Sequence, residues 1–268
     1  MASFSVVSNI ASSNAQSKLN GTTLSLSKAL GRLSSGFRIN QSGDDAAGLA
    51  VANSYRNEQA IMNQGIRNSN DGLSKLQIKD SAVANIATVL DRMATLATQA
   101  ASASSGVDVA KLSAEFNTLT LEIDREANVA GMTAIASFSV FVSSETNTSH
   151  GAVSGSIGAV TTTLLGVTTT SFTNAASAQT VLNTVKVAIS NLGNVSNTIG
   201  TLQNRLSFAI SLAGSQVVNS QAAESRIRDA NIAEESANMT RYNILSQSGI
   251  AALAQANQMS SAVLALLR

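Results

Sequence analysis

A mainly α fold, a long antiparallel helical coiled coil or bundle with one small β-hairpin-like insert, is expected from three features of the 268-residue sequence. It has no proline, its apolar residues are aliphatic rather than aromatic, and they recur at alternating spacings of three and four. An average chain carries roughly 5% proline, the residue that most often breaks a helix. Apolar residues make up 44% of the chain and aromatic residues only 3%, so the core rests on side chains that suit packed helices.

The elements follow in order. Leu26, Leu30, Leu33 and Phe37 are spaced to lie on one narrow helical stripe. Leu76, Val83, Ile86, Leu90, Met93 and Ala97 keep the same rhythm, and Leu112, Phe116, Leu119 and Ile123 make a third stripe. The longest runs through Val185, Ala188, Leu192, Val195, Ile199, Leu202, Leu206, Ala209 and Ala213, as expected of a coiled-coil seam. At about 1.5 Å per residue it extends for roughly 40 Å, which suggests a rod. Met239, Tyr242, Leu245 and Leu253 continue the pattern, and the chain closes on Val263, Leu264, Leu266, Leu267 and Arg268. An end this apolar docks either on its own protein or on a partner. Between residues 137 and 180 the rhythm stops: 19 of 44 positions are Ser or Thr, and Glu145 is the only charged residue. Within this insert TTTLLGVTTT sets two β-branched runs around Gly166, which predicts a short hairpin there; a disordered polar loop is the alternative.

Several function classes are excluded. The net charge of +1 gives no electrostatic case for nucleic acid or an acidic membrane. No stretch reaches the roughly 18 consecutive apolar residues of a membrane span. Without cysteine, and with His150 as the sole histidine, thiolate metal sites, disulfides and cysteine or serine–histidine nucleophiles have no residues to build them. There is no HExxH, Walker loop or GxGxxG, so no cofactor is implied. Asp44 and Asp45 are adjacent carboxylates, and neighbours on a helix face different ways, which suits an acid and base pair poorly. The chain reads as a non-enzyme. Its first residues do not form a basic region followed by an apolar run, so no cleavable secretory signal is expected.

Two blocks go beyond composition: LGRLSSGFRINQSGDDAAGLAVANSYRNEQAIMNQGIRNSNDGLSKLQ near one end and ESRIRDANIAEESANMTRYNILSQSGIAALAQANQMSSAVLALLR at the other. Together they resemble bacterial flagellin, the subunit of the flagellar filament. The most specific pieces are LSSGFRIN (Leu33, Ser34, Ser35, Gly36, Phe37, Arg38, Ile39, Asn40), DDAAG (Asp44, Asp45, Ala46, Ala47, Gly48), NDG at 70–72, LAQANQ at 253–258 and the closing LLR. The resemblance covers residues 1 to about 130 and about 180 to 268.

The resemblance implies a subunit that polymerises into an extracellular filament used for swimming. Residues 1–43 would pair with 230–268 as the inner-tube coiled coil. Residues 44–136 and 180–229 would form the outer-tube bundle, with 137–179 as the insert. The polymerising inner-tube residues would then be Leu26, Leu30, Leu33, Phe37, Leu245, Leu253, Leu264, Leu267 and Arg268. These thin apolar ends would be disordered in the free subunit and order on assembly. Small residues at Gly36, Gly43, Ala46, Ala47, Gly48 and Ala50 would allow close helix approach, or fill a tight monomer core. Other implied partners are type III export with a chaperone at the carboxyl-terminal helix, the filament cap and the hook-junction proteins. The flagellin-sensing Toll-like receptor would meet Arg92, Leu96 and Glu115, although Ala94 and Thr95 depart from the usual surrounding charges. Asn70–Asp71–Gly72 reads locally as a turn, whereas the family has a helix there, and the family reading is followed. GMTAIAS at 131–137 also departs from the family pattern, which leaves the start of the hairpin open. The rivals are the hook–filament junction protein, a relative of flagellin, and a coiled-coil signalling rod, which would explain the heptads but neither LSSGFRIN nor LAQANQ.

Overall fold

A computed structural model describes residues 9–102, 106–143, 151–168 and 172–266. Among these, the order is α1 (Ile10–Ser35), α2 (Ala46–Ser102), α3 (Gly106–Val129), β1 (Ala136–Phe141), β2 (Ala152–Ile157), α4 (Thr162–Leu165), α5 (Ala175–Arg228) and α6 (Ile232–Leu266). The chain divides into two units, Met1–Asn57 with Asn219–Arg268, and Glu58–Val218. Many Ser and Thr side chains within the helices donate back to the carbonyl four residues earlier, as Thr88 does to Ala84 and Thr201 to Asn197, which spends their hydroxyls inside the helix.

In the Glu58–Val218 unit the stripes on α2, α3 and α5 meet in one core. Leu76, Ile86, Leu90 and Met93 from α2, Phe116 and Ile123 from α3, and Val185, Ala188, Ile199 and Leu206 from α5 are all fully buried. Phe116 meets Phe172 edge to face, with ring centres 5.4 Å apart, an arrangement favoured by the ring quadrupoles. Asn70–Asp71–Gly72 lies inside α2, as the family resemblance implies.

The hairpin is not where TTTLLGVTTT suggested. The strands are β1 and β2, paired antiparallel with Val140 opposite Val153 and Phe138 opposite Gly155. Gly166 instead ends the single-turn α4 in a left-handed conformation at φ 79°, and its N–H donates to the Thr162 carbonyl. Asp124 of α3 fixes this turn by accepting from the Thr162 N–H at 2.9 Å and its hydroxyl at 2.8 Å. The β-branched run therefore caps a helical turn whose Leu165 enters the core.

What seats the sheet is a smooth strip on α2. Gly65, Ser69 and Gly72 are all buried, and the Ser69 hydroxyl folds onto the Gly65 carbonyl. A Cβ at Gly65 would sit 2.1 Å from the Val142 carbonyl oxygen, and one at Gly72 would sit 2.7 Å from the Val140 side chain. This close approach is why a turn-like Asn-Asp-Gly belongs in the middle of a helix. On the other side, Leu202 of α5 fills the space beside Gly155, and Arg205 donates to the Ser154 carbonyl at 2.9 Å. At the foot of α3 the Lys79 ammonium donates to the Ala130 and Gly131 carbonyls and is pushed below the usual lysine range by partial burial.

Candidate assembly site

In the other unit α1 runs antiparallel to α6. Asn9 donates to the Ala256 carbonyl at 3.0 Å, Leu19 packs on Gly249, and Arg32 Nη1 meets Glu235 Oε1 at 3.1 Å. The face of α1 turned inward is Ser12, Ala15, Leu19, Thr22, Leu26, Ala29 and Leu33, and that of α6 is Glu235, Met239, Tyr242, Ser246, Gly249, Leu253 and Ala256. Both recur at three and four, as a coiled-coil seam requires, yet eight of the fourteen positions are small or polar. Tyr55 on α2, like Tyr242, is half-buried in this unit.

The large aliphatic side chains lie mostly outside. Leu24 is 62% exposed, Ile244 58%, Ile250 57%, and Leu30 and Leu245 each 47%. The expected stripe of Leu26, Leu30, Leu33 and Phe37 is therefore corrected. Leu26 and Leu33 are on the seam, Ala29 replaces Leu30 as the buried residue, and Phe37 lies beyond the helix end. The reason is phase: Ala29 is three positions from Leu26 and four from Leu33, while Leu30 is turned away by one more residue. Likewise Ser246 rather than Leu245 faces α1, and Leu253 is half-buried on the seam. Leu264 lies in α6, but its side chain is outside the described residues, as are Leu267 and Arg268.

LSSGFRIN and DDAAG build an internal clamp. Gly36 ends α1 at φ 75° and its N–H donates to the Arg32 carbonyl, while the Ser35 hydroxyl accepts from the Phe37 N–H; Ser34 is exposed. The chain then pairs with the α5–α6 connection. Arg38 N–H donates to the Arg228 carbonyl, Ala230 N–H donates to the Gly36 carbonyl, and the Arg38 guanidinium reaches the Ile227 carbonyl at 2.8 Å. The Arg228 guanidinium stands 4.1 Å over the centre of the Phe37 ring, a cation–π contact.

Ile39 is buried, at 1% exposure. Asp44 and Asp45 are not on a helix: Asp44 accepts from the Asn40 and Gln41 N–H groups, and Asp45 accepts from the Gly48 N–H at 2.9 Å, just ahead of α2. Ala46 and Ala47 open that helix and are exposed, while a Cβ on Gly48 would fall 2.5 Å from the Asp45 carboxylate and 2.9 Å from Ile39. Arg32, Arg228 and Glu235, central to this arrangement, carry no local signal in the sequence because their partners are remote or on the backbone.

The three residues matched to the immune receptor divide. Arg92 makes two hydrogen bonds to one Glu115 oxygen, at 3.0 and 2.7 Å, and both side chains are exposed. Leu96 is buried in the helical core, at 1% exposure. Among the described residues no acidic or histidine group is arranged to hold a metal, and no helix is long and apolar enough to cross a membrane.

The model of the bacterial flagellin N-terminal helical region matches residues 6–139, and that of the C-terminal helical region matches residues 182–267. The chain belongs to the bacterial flagellin family. Flagellin of Halalkalibacterium halodurans is 38% identical over 90% of this chain and 91% of its own length. The flagellar filament 33 kDa core protein of Treponema phagedenis is 34% identical, with 97% of this chain and 98% of that protein covered. Flagellin of Bacillus subtilis is 32% identical over the same shares. Among solved structures, the crystal structure of Bacillus cereus flagellin aligns with 59% of this chain and 94% of that chain, at 28% identity and a TM-score of 0.48. The chain is thus a structural subunit of the extracellular bacterial flagellar filament and polymerises with itself.

Proposed function

We propose that the outward aliphatic faces of α1 and α6 are the surface by which one copy is buried against the next in the filament. The observation that carries this is the aliphatic surface left outside the helix pair, beyond the Leu19, Leu26, Leu33, Met239 and Leu253 that its seam takes in. Ala15, Thr22, Ala29, Ser246, Gly249 and Ala256 point inward, while Leu24, Leu30, Ile244, Leu245 and Ile250 face solvent. Burying a Leu or Ile side chain completely stabilises by about 1.5–3 kcal/mol, so covering each of these half-exposed ones contributes roughly 1 kcal/mol. A polymer that grows without closing needs two different surfaces in contact at each joint, and a helix pair with aliphatic side chains on several sides can supply both. On this reading residues 1–43 with 230–268 form the inner tube, 44–136 with 180–229 the outer tube, and 137–179 the external insert.

The same face of α6 suits an export chaperone that masks it before assembly. The filament cap and hook-junction proteins would meet this surface at the two ends of the polymer. A Toll-like receptor would find Arg92 and Glu115 at the surface, with Leu96 buried in the core. The family is a structural one, and we read the chain as a structural protein rather than an enzyme; Asp44 and Asp45 are engaged in a turn and a helix start.

The test is electron microscopy of purified protein after seeding, alongside Ile244→Ser with Leu245→Ser and a chain truncated before Leu253. Filaments from the parent and none from either variant are expected. Normal filaments from the serine variant would overturn the assignment of this face.

A further inference from the structure

We propose that the Arg32–Glu235 ion pair chooses which face of α6 turns toward α1, and so which aliphatic side chains are offered to neighbouring copies. The second half of that statement rests on the assembly reading above. The need for a choice lies in α6 itself, whose apolar side chains go round the whole helix. At about 100° per residue, with Glu235 and Leu253 at zero, Ile250 stands about 60° to one side, Leu245 about 80° to the other, and Ile244 behind. A helix without one apolar stripe has nothing in its hydrophobic pattern to fix its rotation.

A second strip of α6 has the spacing of a seam, with smaller side chains than the Met239, Tyr242 and Leu253 of the native one. Half a turn away, Ala233, Ala237, Thr240, Ile244, Gln247 and Ala251 repeat at the spacing of three and four that suits a small-residue seam, and α1 presents Ser12, Ala15, Leu19, Thr22, Leu26, Ala29 and Leu33 to either strip. The backbone pairing of Gly36 and Arg38 with Arg228 and Ala230 fixes how far along α1 the second helix begins. It ends before Ile232, where α6 starts, and leaves the rotational phase of that helix to contacts made along its own length. At the far end Asn9 binds a backbone carbonyl, which every residue supplies.

Glu235 is specific. It lies in the first turn of α6, is 8% exposed, and receives Arg32 Nη1 from the last turn of α1. Turning α6 by half a revolution would carry the carboxylate away and leave the guanidinium, whose Nε already has no partner, without its acceptor. Glu234 can replace it only by a rotation that swings Arg241 into the seam. A polar pair that selects one arrangement among several of similar apolar burial is the best-attested role of such groups in helix pairs.

The chain has no cysteine, so paired substitutions report the facing residues directly. A disulfide closes only when the Cα atoms come within about 7 Å, and it traps whichever pairing the helices visit even when that pairing is marginal. Thr22→Cys with Ser246→Cys reports the native face, and Ala15→Cys with Ala251→Cys the rival. In the parent the first pair is expected to close and the second to stay open. With Arg32→Met and Glu235→Leu added, the second should close in an amount comparable to the first. The reversed pair, Arg32→Glu with Glu235→Arg, should restore the parental pattern. An unchanged pattern in the Met/Leu chain would overturn the proposal, because the packing of Leu19 on Gly249 would then be orienting α6. Failure of both disulfides in that chain, with loss of helical circular dichroism, would also overturn it, since the pair would then hold the helices together without choosing between faces. Filament growth by the cysteine-free parent is scored separately: its absence would sink the assembly reading and leave the cross-linking result standing.

Discussion

Gly65 is the residue where a single methyl group should matter most. Its would-be Cβ meets a backbone carbonyl, that of Val142, and a backbone atom cannot swing aside as a side chain can. Gly65→Ala is therefore expected to lift the end of β1 from α2 and cost about 2–3 kcal/mol, the upper part of the range for overpacking, read as a lower melting temperature of the Glu58–Val218 unit. Gly193 is the internal control: it is exposed within α5 and has nothing within 4 Å. Alanine there should stabilise by about 0.5–1 kcal/mol through helix propensity and a less flexible unfolded chain. Equal melting of Gly65→Ala and the parent would mean that the sheet is not seated on that strip.

Single elements carry a different lesson, visible in α4. One helical turn does not persist alone, and this one is held by the Asp124 carboxylate on Thr162 and by Leu165 in the core. Asp124→Ala should cost about 1–2 kcal/mol, the worth of a lost cap, and should speed amide exchange at Leu165 and Val167 more than at β2. Uniform exchange changes along the whole chain would count against that local role. The same turn explains why TTTLLGVTTT misled. β-branched residues and a glycine are common to hairpins and to capped turns, and the carboxylate that decides between them is supplied 38 residues earlier.

The true strands were missed: β1 carries a period of two, with Phe138 and Val140 more buried than Ser137 and Ser139, but its serine-rich surroundings hide it by composition. The helical stripes of α2, α3 and α5 could be read because an amphipathic period is local information. The clamp could not, since Arg32 and Glu235 are 203 positions apart and only the antiparallel return of the chain brings them together. Leu30 was misjudged because Ala29, one position earlier, holds the seam phase between Leu26 and Leu33, so at that step the small residue goes in and the large one stays outside.

At the scale of the molecule the two units should differ in stability. Glu58–Val218 encloses a continuous aliphatic core with Phe116 and Phe172 at its centre, whereas the α1–α6 seam offers few large side chains to offset the entropy of ordering two long helices. In unassembled protein the amides of α1 and α6 are expected to exchange far faster than those of Val185–Ala213, and to become protected on polymerisation. Equal protection in the free subunit would show that the pair needs no neighbour to hold it.

One consequence concerns light. The chain has no tryptophan and only two tyrosines, and both, Tyr55 and Tyr242, belong to the unit that contains α1 and α6. The other unit holds phenylalanine alone among the fluorescent residues and is nearly dark beside them. Intrinsic tyrosine emission therefore reports on the assembling arms without a label. Its anisotropy and quenching should follow filament growth in real time, while the hairpin and the aliphatic core contribute almost no signal.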